Sequence, residues 1–504
     1  MSKHTFSPLL LISVIVVLGI IACTDGWNNA DEKKTDDAGD IGQSNRGDSA
    51  SSNDNGEGHN DADDGNTGQA TDENTGNANS GNDTSGSGDD MDSNDDSAGN
   101  GSNTDNGNGD TSNAGNDNNS GDDTLDDKYR PDGDVTPATQ ASGFLHVDGN
   151  LLVDDNGNNT RLTGVNWFGF ETGNLSPHGL WARDYRSMMK QIADMGFNTV
   201  RIPWCNEMLR EGAATQSINT YGADPYDGTD PMNGDLEDLP PIEVMDKVID
   251  AAGAAGLKVM LDNHSRNPDG YMEEDLWYTD SCPESQWVED WVFMAQRYKG
   301  NTTVIAFDLN NEPHDGATWG AGVAATDWDK AAERCGTAIQ EVNSDVLIVI
   351  EGIEEWKDTG YWWGGNLRGV KDDPISLPVQ EKLVYSAHEY GPEVFAQPWF
   401  ESADFPGNLP KIWYENFGYV VASETSHMFI GEFGVRDLES AGGVAGEWFF
   451  TFLDFMNERD GYSWTFWSLN PNSGDTEGIL TYDWVTPHDW KLEALKPYMA
   501  PKIN

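Results

Sequence analysis

Ile305-Ala306-Phe307-Asp308-Leu309-Asn310-Asn311-Glu312-Pro313-His314 is a short apolar run that ends on an acid. Met428-Phe429-Ile430-Gly431-Glu432-Phe433-Gly434 has the same form. Runs of this length, rich in branched and aromatic residues and closed by turn formers, read as buried strands. Similar runs occur at 162–168, 199–204, 258–263, 346–351, 382–388 and 462–469, which brings the expected strands to eight. Between them lie stretches with a helical apolar period at 183–195, 241–255, 284–298, 327–342, 409–423 and 446–459. Alternation of this kind over one domain predicts an α/β fold, a (β/α)8 TIM barrel with long loops. An open doubly wound sheet would alternate too. However, no G-x-G-x-x-G follows the first strand, and polar residues gather at many strand ends instead of one switch point. A β-hairpin is expected ahead of the barrel, turning at Asp148-Gly149-Asn150.

In a parallel barrel all strand C-termini open on one mouth, so residues far apart in sequence become neighbours there. The residues at these ends are Arg201, His264, Asn311 with Glu312, His388 with Tyr390, Glu432 and Trp467. Singly each is unremarkable, since a glutamate after an apolar run is usually solvated and a tryptophan usually belongs to the core. Together they place two carboxylates beside a guanidinium, two imidazoles and a phenol. Two acids converging on one cleft suit cleavage of a glycosidic bond, one protonating the leaving oxygen while the other attacks the sugar carbon.

The chain resembles glycoside hydrolase family 5, and within it the bacterial endo-β-1,4-glucanases, from about Gly143 to the C-terminus. The resemblance rests on Leu162-Thr163-Gly164-Val165-Asn166-Trp167-Phe168-Gly169-Phe170-Glu171, His178-Gly179-Leu180-Trp181, Asn198-Thr199-Val200-Arg201-Ile202-Pro203 and Leu261-Asp262-Asn263-His264. Asn311-Glu312-Pro313-His314, His388-Glu389-Tyr390 and Ile430-Gly431-Glu432-Phe433-Gly434 complete it. It implies that Glu312 is the general acid/base and Glu432 the nucleophile of a retaining reaction on β-1,4-glucan, with no cofactor and no metal. Arg201 and Tyr390 would keep Glu432 ionised, Asn311 would meet a sugar hydroxyl, and His264 and His388 would orient acids and hydroxyls. Trp467 would stack under a pyranose, with Trp181 and one of Trp362 or Trp363, preferably Trp363, as further platforms. A β-mannanase or xyloglucan hydrolase of the same family is the nearest alternative, and a non-catalytic glycan-binding surface protein a more distant one. A metalloprotein is disfavoured because no Cys/His cluster has ligand spacing. Some related cellulases carry a crosslink between the loops after the first and third strands, and Gly173 and residues 265–270 offer no cysteine for it.

Outside this domain the chain is of another kind. Residues 1–22 read as a signal peptide, with an apolar run at 9–21 too short for a permanent span. Ile20-Ile21-Ala22-Cys23 resembles a lipobox, so Cys23 is expected to be lipidated, and Thr24 looks like an outer-membrane address. Residues 23–138 consist of Asp, Asn, Gly, Ser and Thr without period. They are expected to form a disordered tether reaching roughly 60 Å, ahead of a catalytic barrel over 139–504. Of the formal charge of −59, about −24 falls on residues 24–136 and roughly −36 on the domain that follows, with Lys3 contributing the one positive charge ahead of them. This excludes nucleic acid and anionic lipid as natural partners, leaving neutral polysaccharide and, through lipid alone, a membrane. Excess acid on the domain itself suggests adaptation to salt. The protein is expected to be an extracytoplasmic monomer. Four cysteines occur; besides Cys23, a Cys205–Cys282 pair is favoured and Cys335 is expected to be buried in a helix.

Overall fold

A computed structural model describes residues 138–268, 272 and 274–503. The leader, Cys23 and the tether up to residue 137 lie outside the described residues. The chain enters as the expected hairpin, β1 (Leu145–Asp148) and β2 (Leu151–Asp154), paired so that Leu145 faces Asp154 and Asp148 faces Leu151. Gly149, at φ 62°, supplies the left-handed residue that a two-residue turn requires. A short β3 (Asn159–Thr160) extends this sheet.

Eight parallel strands then close into a barrel: β4 (Thr163–Asn166), β5 (Thr199–Cys205), β6 (Lys258–Ser265), β7 (Val304–Asp308), β8 (Leu347–Glu351), β11 (Leu383–His388), β12 (Met428–Phe433) and β13 (Tyr462–Phe466). They neighbour one another in chain order, and β13 returns to β4. The small antiparallel pair β9 (Glu355–Trp356) and β10 (Thr359–Gly360) sits in the loop after β8. All eight strands expected from the sequence are present. Strands β7 and β13 end earlier than expected, at Asp308 and Phe466, although Leu309 N and Trp467 N still donate to Val349 O and Phe433 O on the neighbouring strands.

Strand alternation divides the core in two. Leu145, Leu152, Met260, Ile305, Leu347, Val349, Val384 and Phe429 form one cluster inside the barrel, with the hairpin closing its lower end. Val259, Leu261, Ile348, Ile350, Met428 and Ile430, their immediate neighbours, belong to the larger cluster facing the helices. That outer layer also explains many of the 19 tryptophans. On helix Glu284–Arg297, the indole N–H groups of Trp287 and Trp291 both donate to Leu309 O, at 3.2 and 3.0 Å. Trp328, opening helix Trp328–Val342, donates to Glu351 O at 2.8 Å. The helices therefore pin the strand ends that carry the site.

Two expectations are corrected. Residues 409–423 do not form one α-helix: α-helical Leu409–Trp413 passes into a π-helical stretch Tyr414–Gly418 and resumes at Tyr419–Ala422. Nor do Cys205 and Cys282 pair, since both are free and buried. Cys205 Sγ donates to Phe170 O at 3.4 Å, while Cys282 lies after a long loop, just ahead of its helix, where Sγ accepts from Arg210 Nη2 at 3.9 Å. Cys335 is buried within helix Trp328–Val342, as expected. No helix among the described residues is long and apolar enough to cross a membrane.

Candidate active site

Two to four residues beyond the apolar layer, the same strands turn charged. Arg201, fully buried on β5, is the hub. Its Nη1 donates to Glu432 Oε1 at 2.8 Å and to Asn166 Oδ1 at 3.1 Å. Its Nη2 donates to Asn311 Oδ1 at 3.0 Å and to Glu351 Oε1 at 3.2 Å, and lies 3.1 Å from Asp262 and 3.0 Å from Asp308. Asn166 Nδ2 in turn donates to Gly431 O at 3.0 Å, fixing the backbone just before Glu432. The ladders of β12 with β13 and with β11 both slip near their ends, and after the slip His388 pairs with Glu432. Such a bulge re-aims side chains, here into the mouth.

The two glutamates meet there. His388 Nδ1 lies 2.7 Å from Glu312 Oε1 and 3.7 Å from Glu432 Oε2, and one oxygen of each carboxylate lies within 4.8 Å of the other. Tyr390 donates its hydroxyl to Glu432 Oε2 at 2.6 Å. The surroundings drive the two acids apart. Burial alone would raise both carboxyls, but for Glu432 the charges of His388, Arg201 and His264 and the Tyr390 hydrogen bond prevail, holding it below its ordinary range. For Glu312 burial wins: the His388 contact opposes it without cancelling it, and Glu432 and Glu351 add repulsion. One acid is thus kept ionised and the other inclined to hold a proton.

The imidazoles carry charge. Burial disfavours it, but Asp262, 2.7 Å from His264 Nδ1, lifts His264 to about 9. Glu351 and Glu432 likewise hold His388 well above the usual range against burial. Asp308, buried and beside Glu351, is pushed far up and kept neutral, whereas Arg201 and His264 outweigh burial at Asp262 and keep it low. Asp262–His264–Glu432, Glu312–His388–Glu432 and Asp262–Asp308–Glu351 each bring three ligand atoms within 4.8 Å. Protein cations already serve them, an imidazolium in the first two and the Arg201 guanidinium in the third.

The expected platforms separate into kinds. Trp467 is half-buried, with its ring parallel to Phe168 at 5.4 Å and its Nε1 donating to Ser473 Oγ at 3.2 Å. Rings continue from Phe168 to His178 at 5.1 Å and from His178 to Trp181 at 5.5 Å, and Trp181 is 37% exposed. Trp363 is half-buried with one face covered by His314, centroids 3.9 Å apart, while Trp362 is buried against Tyr390.

The structure therefore gathers Arg201, Asn311, Glu312, His388, Tyr390 and Glu432 into one contact network. His264 joins through Asp262, and Trp467 stands beside the His264 ring at 5.7 Å. Sequence reasoning gave no role to Asn166, Asp262, Asp308, Glu351 or Glu389. Glu389 points away from the mouth, between His388 and Tyr390, and accepts from the indoles of Trp413 at 2.9 Å and Trp448 at 3.0 Å and from the Tyr361 hydroxyl. Burial pushes it to about 7. The missed signal was strand parity: Asp262 and Glu351 each lie two residues beyond an inward apolar residue, Met260 and Val349.

A closed eight-stranded parallel barrel with paired carboxylates at its mouth defines a scaffold of glycoside hydrolases. The chain belongs to the cellulase family, glycosyl hydrolase family 5, whose pattern matches residues 153–473. It is 41% identical over 370 residues to an endoglucanase of Paenibacillus polymyxa, covering 73% of this chain and 90% of that protein. It is also 41% identical over 351 residues to the major extracellular endoglucanase of Xanthomonas campestris pv. campestris, covering 68% of this chain and 69% of that protein. Among solved structures, the hyperthermophilic endocellulase of the archaeon Pyrococcus horikoshii aligns with a TM-score of 0.65 at 39% identity, over 71% of this chain and 99% of that one.

Proposed function

We propose that the protein is a retaining endo-β-1,4-glucanase in which Glu432 is the nucleophile and Glu312 the acid/base. The observation carrying this reading is the pair itself: carboxylate oxygens within 4.8 Å, one acid held low and its partner raised. Retaining glycosidases hold their two carboxyls about 5–5.5 Å apart, whereas inverting ones need about 6.5–9.5 Å to admit a water. Glu432 attacks the anomeric carbon while Glu312 gives its proton to the departing glycosidic oxygen. A water then enters, Glu312 takes back a proton, and the bond to Glu432 breaks. His388 and Arg201 hold the two carboxylates at that separation, Asn311 meets the sugar 2-hydroxyl, and His264 orients neighbouring hydroxyls. Trp467 supplies the flat face beneath the ring, and Trp181 and the open face of Trp363 extend the contact along a polymer.

The relatives named above are endoglucanases, and the Pyrococcus endocellulase has also been solved in complex with cellotetraose. These support an internal β-1,4-glucosidic bond as the target. We further assign residues 1–22 to a leader, Cys23 to lipidation and residues 23–138 to a tether, so that a monomeric barrel works outside the cytoplasm within reach of its anchor. Parallel product analysis on amorphous cellulose, carboxymethyl cellulose, mannan and xyloglucan tests the substrate. Cello-oligosaccharides with an early fall in viscosity are expected. Preferential release of manno- or xyloglucan oligosaccharides would replace glucan as the substrate.

A further inference from the structure

Glu351 ends β8, is fully shielded from solvent and touches three members of the site at once. Its Oε2 accepts the backbone N–H of Glu312 at 2.8 Å. Its Oε1 lies 3.2 Å from both Arg201 Nη2 and His388 Nε2. His388 reaches the Glu312 side chain through its other nitrogen. One carboxylate therefore holds Glu312 twice, by a hydrogen bond at the backbone and, through an ion pair with the His388 imidazole, at the carboxyl.

The backbone grip matters because Glu312 has φ 44°, in the left-handed region that non-glycine residues avoid. Such a conformation persists only where its surroundings over-determine it. Here Glu351 accepts the amide, and the Glu312 carbonyl contacts His314 Nδ1 at 2.5 Å. Gly364 leaves room for the arrangement: a Cβ there would come within 2.1 Å of Glu351 Oε2 and 3.1 Å of Glu312 Cα. Gly352 N donates to Gly364 O at 2.8 Å, which lays that glycine over the end of β8. Charge balance for Arg201 does not explain Glu351, because Asp262 and Glu432, both held ionised, already flank the guanidinium. What distinguishes Glu351 is its hold on Glu312.

Resting on the roles assigned above, we propose that Glu351 is the positioning residue of the acid/base, fixing the backbone turn of Glu312 and the orientation of His388, with Gly364 as the space that admits it. Glutamine in its place keeps the size but cannot accept from the amide while also satisfying Arg201 and His388. Proton donation by Glu312 then weakens, and this matters in proportion to how poor the leaving group is.

The test compares kcat/KM on 2,4-dinitrophenyl β-cellobioside, which needs little acid help, with that on cellotetraose, for wild type, Glu312→Ala, Glu432→Ala, Glu351→Gln and Gly364→Ala. Near-UV circular dichroism confirms that each variant is folded. Glu351→Gln is expected to lose at least about tenfold more on cellotetraose than on the activated glycoside. Gly364→Ala, which retains every acid, is expected to repeat that split and keeps the test alive should the first variant fold poorly. Equal losses on both substrates, or no loss, would overturn the proposal. If Glu312→Ala itself shows no split while Glu432→Ala is inactive, the acid assignment has failed, a distinct result from failure of Glu351 alone.

Discussion

The lower and upper layers of the barrel interior are built by the same strands a few residues apart, and they obey opposite rules. Below, Met260, Ile305, Val349, Val384 and Phe429 fill the space with apolar volume. Above, Asp262, Asp308, Glu351 and Glu432 crowd around one guanidinium, with His388 against Glu351 and Glu432, all of them buried. Burying so many ionisable groups is unfavourable unless they are paired and hydrogen-bonded. The lower layer therefore supplies stability that the upper layer draws upon. In return the upper layer gains two carboxyls whose proton affinities differ although they sit side by side.

Exchanging effects between the layers tests this contrast. The largest effect belongs to Glu432→Ala, expected to lower kcat on soluble glucan by on the order of 10^4-fold or more. Its melting temperature should fall, because the Arg201, His264 and His388 charges and the Tyr390 hydroxyl lose the carboxylate that they stabilise. Next is Phe429→Ala, three positions earlier on β12. It should destabilise by about 3–5 kcal/mol in denaturant titration while kcat, measured well below the melting point, changes less than about twofold. A large kcat loss without destabilisation in Phe429→Ala would break the division between the layers.

Acidity gives a smaller effect with a defined sign. Burial opposes charge on His264, but Asp262 outweighs it and raises the group from 6.5 to about 9. A group raised in the folded state stabilises fully below 6.5 and loses that contribution as pH climbs toward about 9. The melting temperature should fall across this window, and His264→Gln should flatten the fall. The smallest effect is at the rim, where Trp181→Ala should raise KM for polymer about 2- to 10-fold, the value of one stacking contact, and leave kcat on a short activated glycoside unchanged.

Much of this division could be read from the chain. The short apolar runs located all eight strands, and the residues at their ends included both glutamates, Arg201, both histidines and Tyr390. Glu351, Asp262 and Asp308 were on the page but silent, because an acid at a strand end looks alike in sequence whether it points into the mouth or into solvent. Parity could have sorted Asp262 and Glu351, whereas the slips on β11 and β12 that swing His388 beside Glu432 leave no pattern. The cysteine pairing failed for a related reason: nearness of strand ends fixes a rim, not the direction of a thiol at the end of a long loop. Tryptophans proved legible in bulk and ambiguous one by one, since an indole that pins a strand end to a helix and one at the mouth are the same residue type, told apart only by the direction of the side chain.

The reaction's stereochemistry tests the central claim, that two unlike carboxyls share one sugar, most directly. Proton NMR of cellopentaose hydrolysis, recorded before mutarotation intervenes, should show the β-anomer of the new reducing end appearing first, as double displacement through Glu432 requires. Initial appearance of the α-anomer would mean a water attacks directly, and would contradict the account.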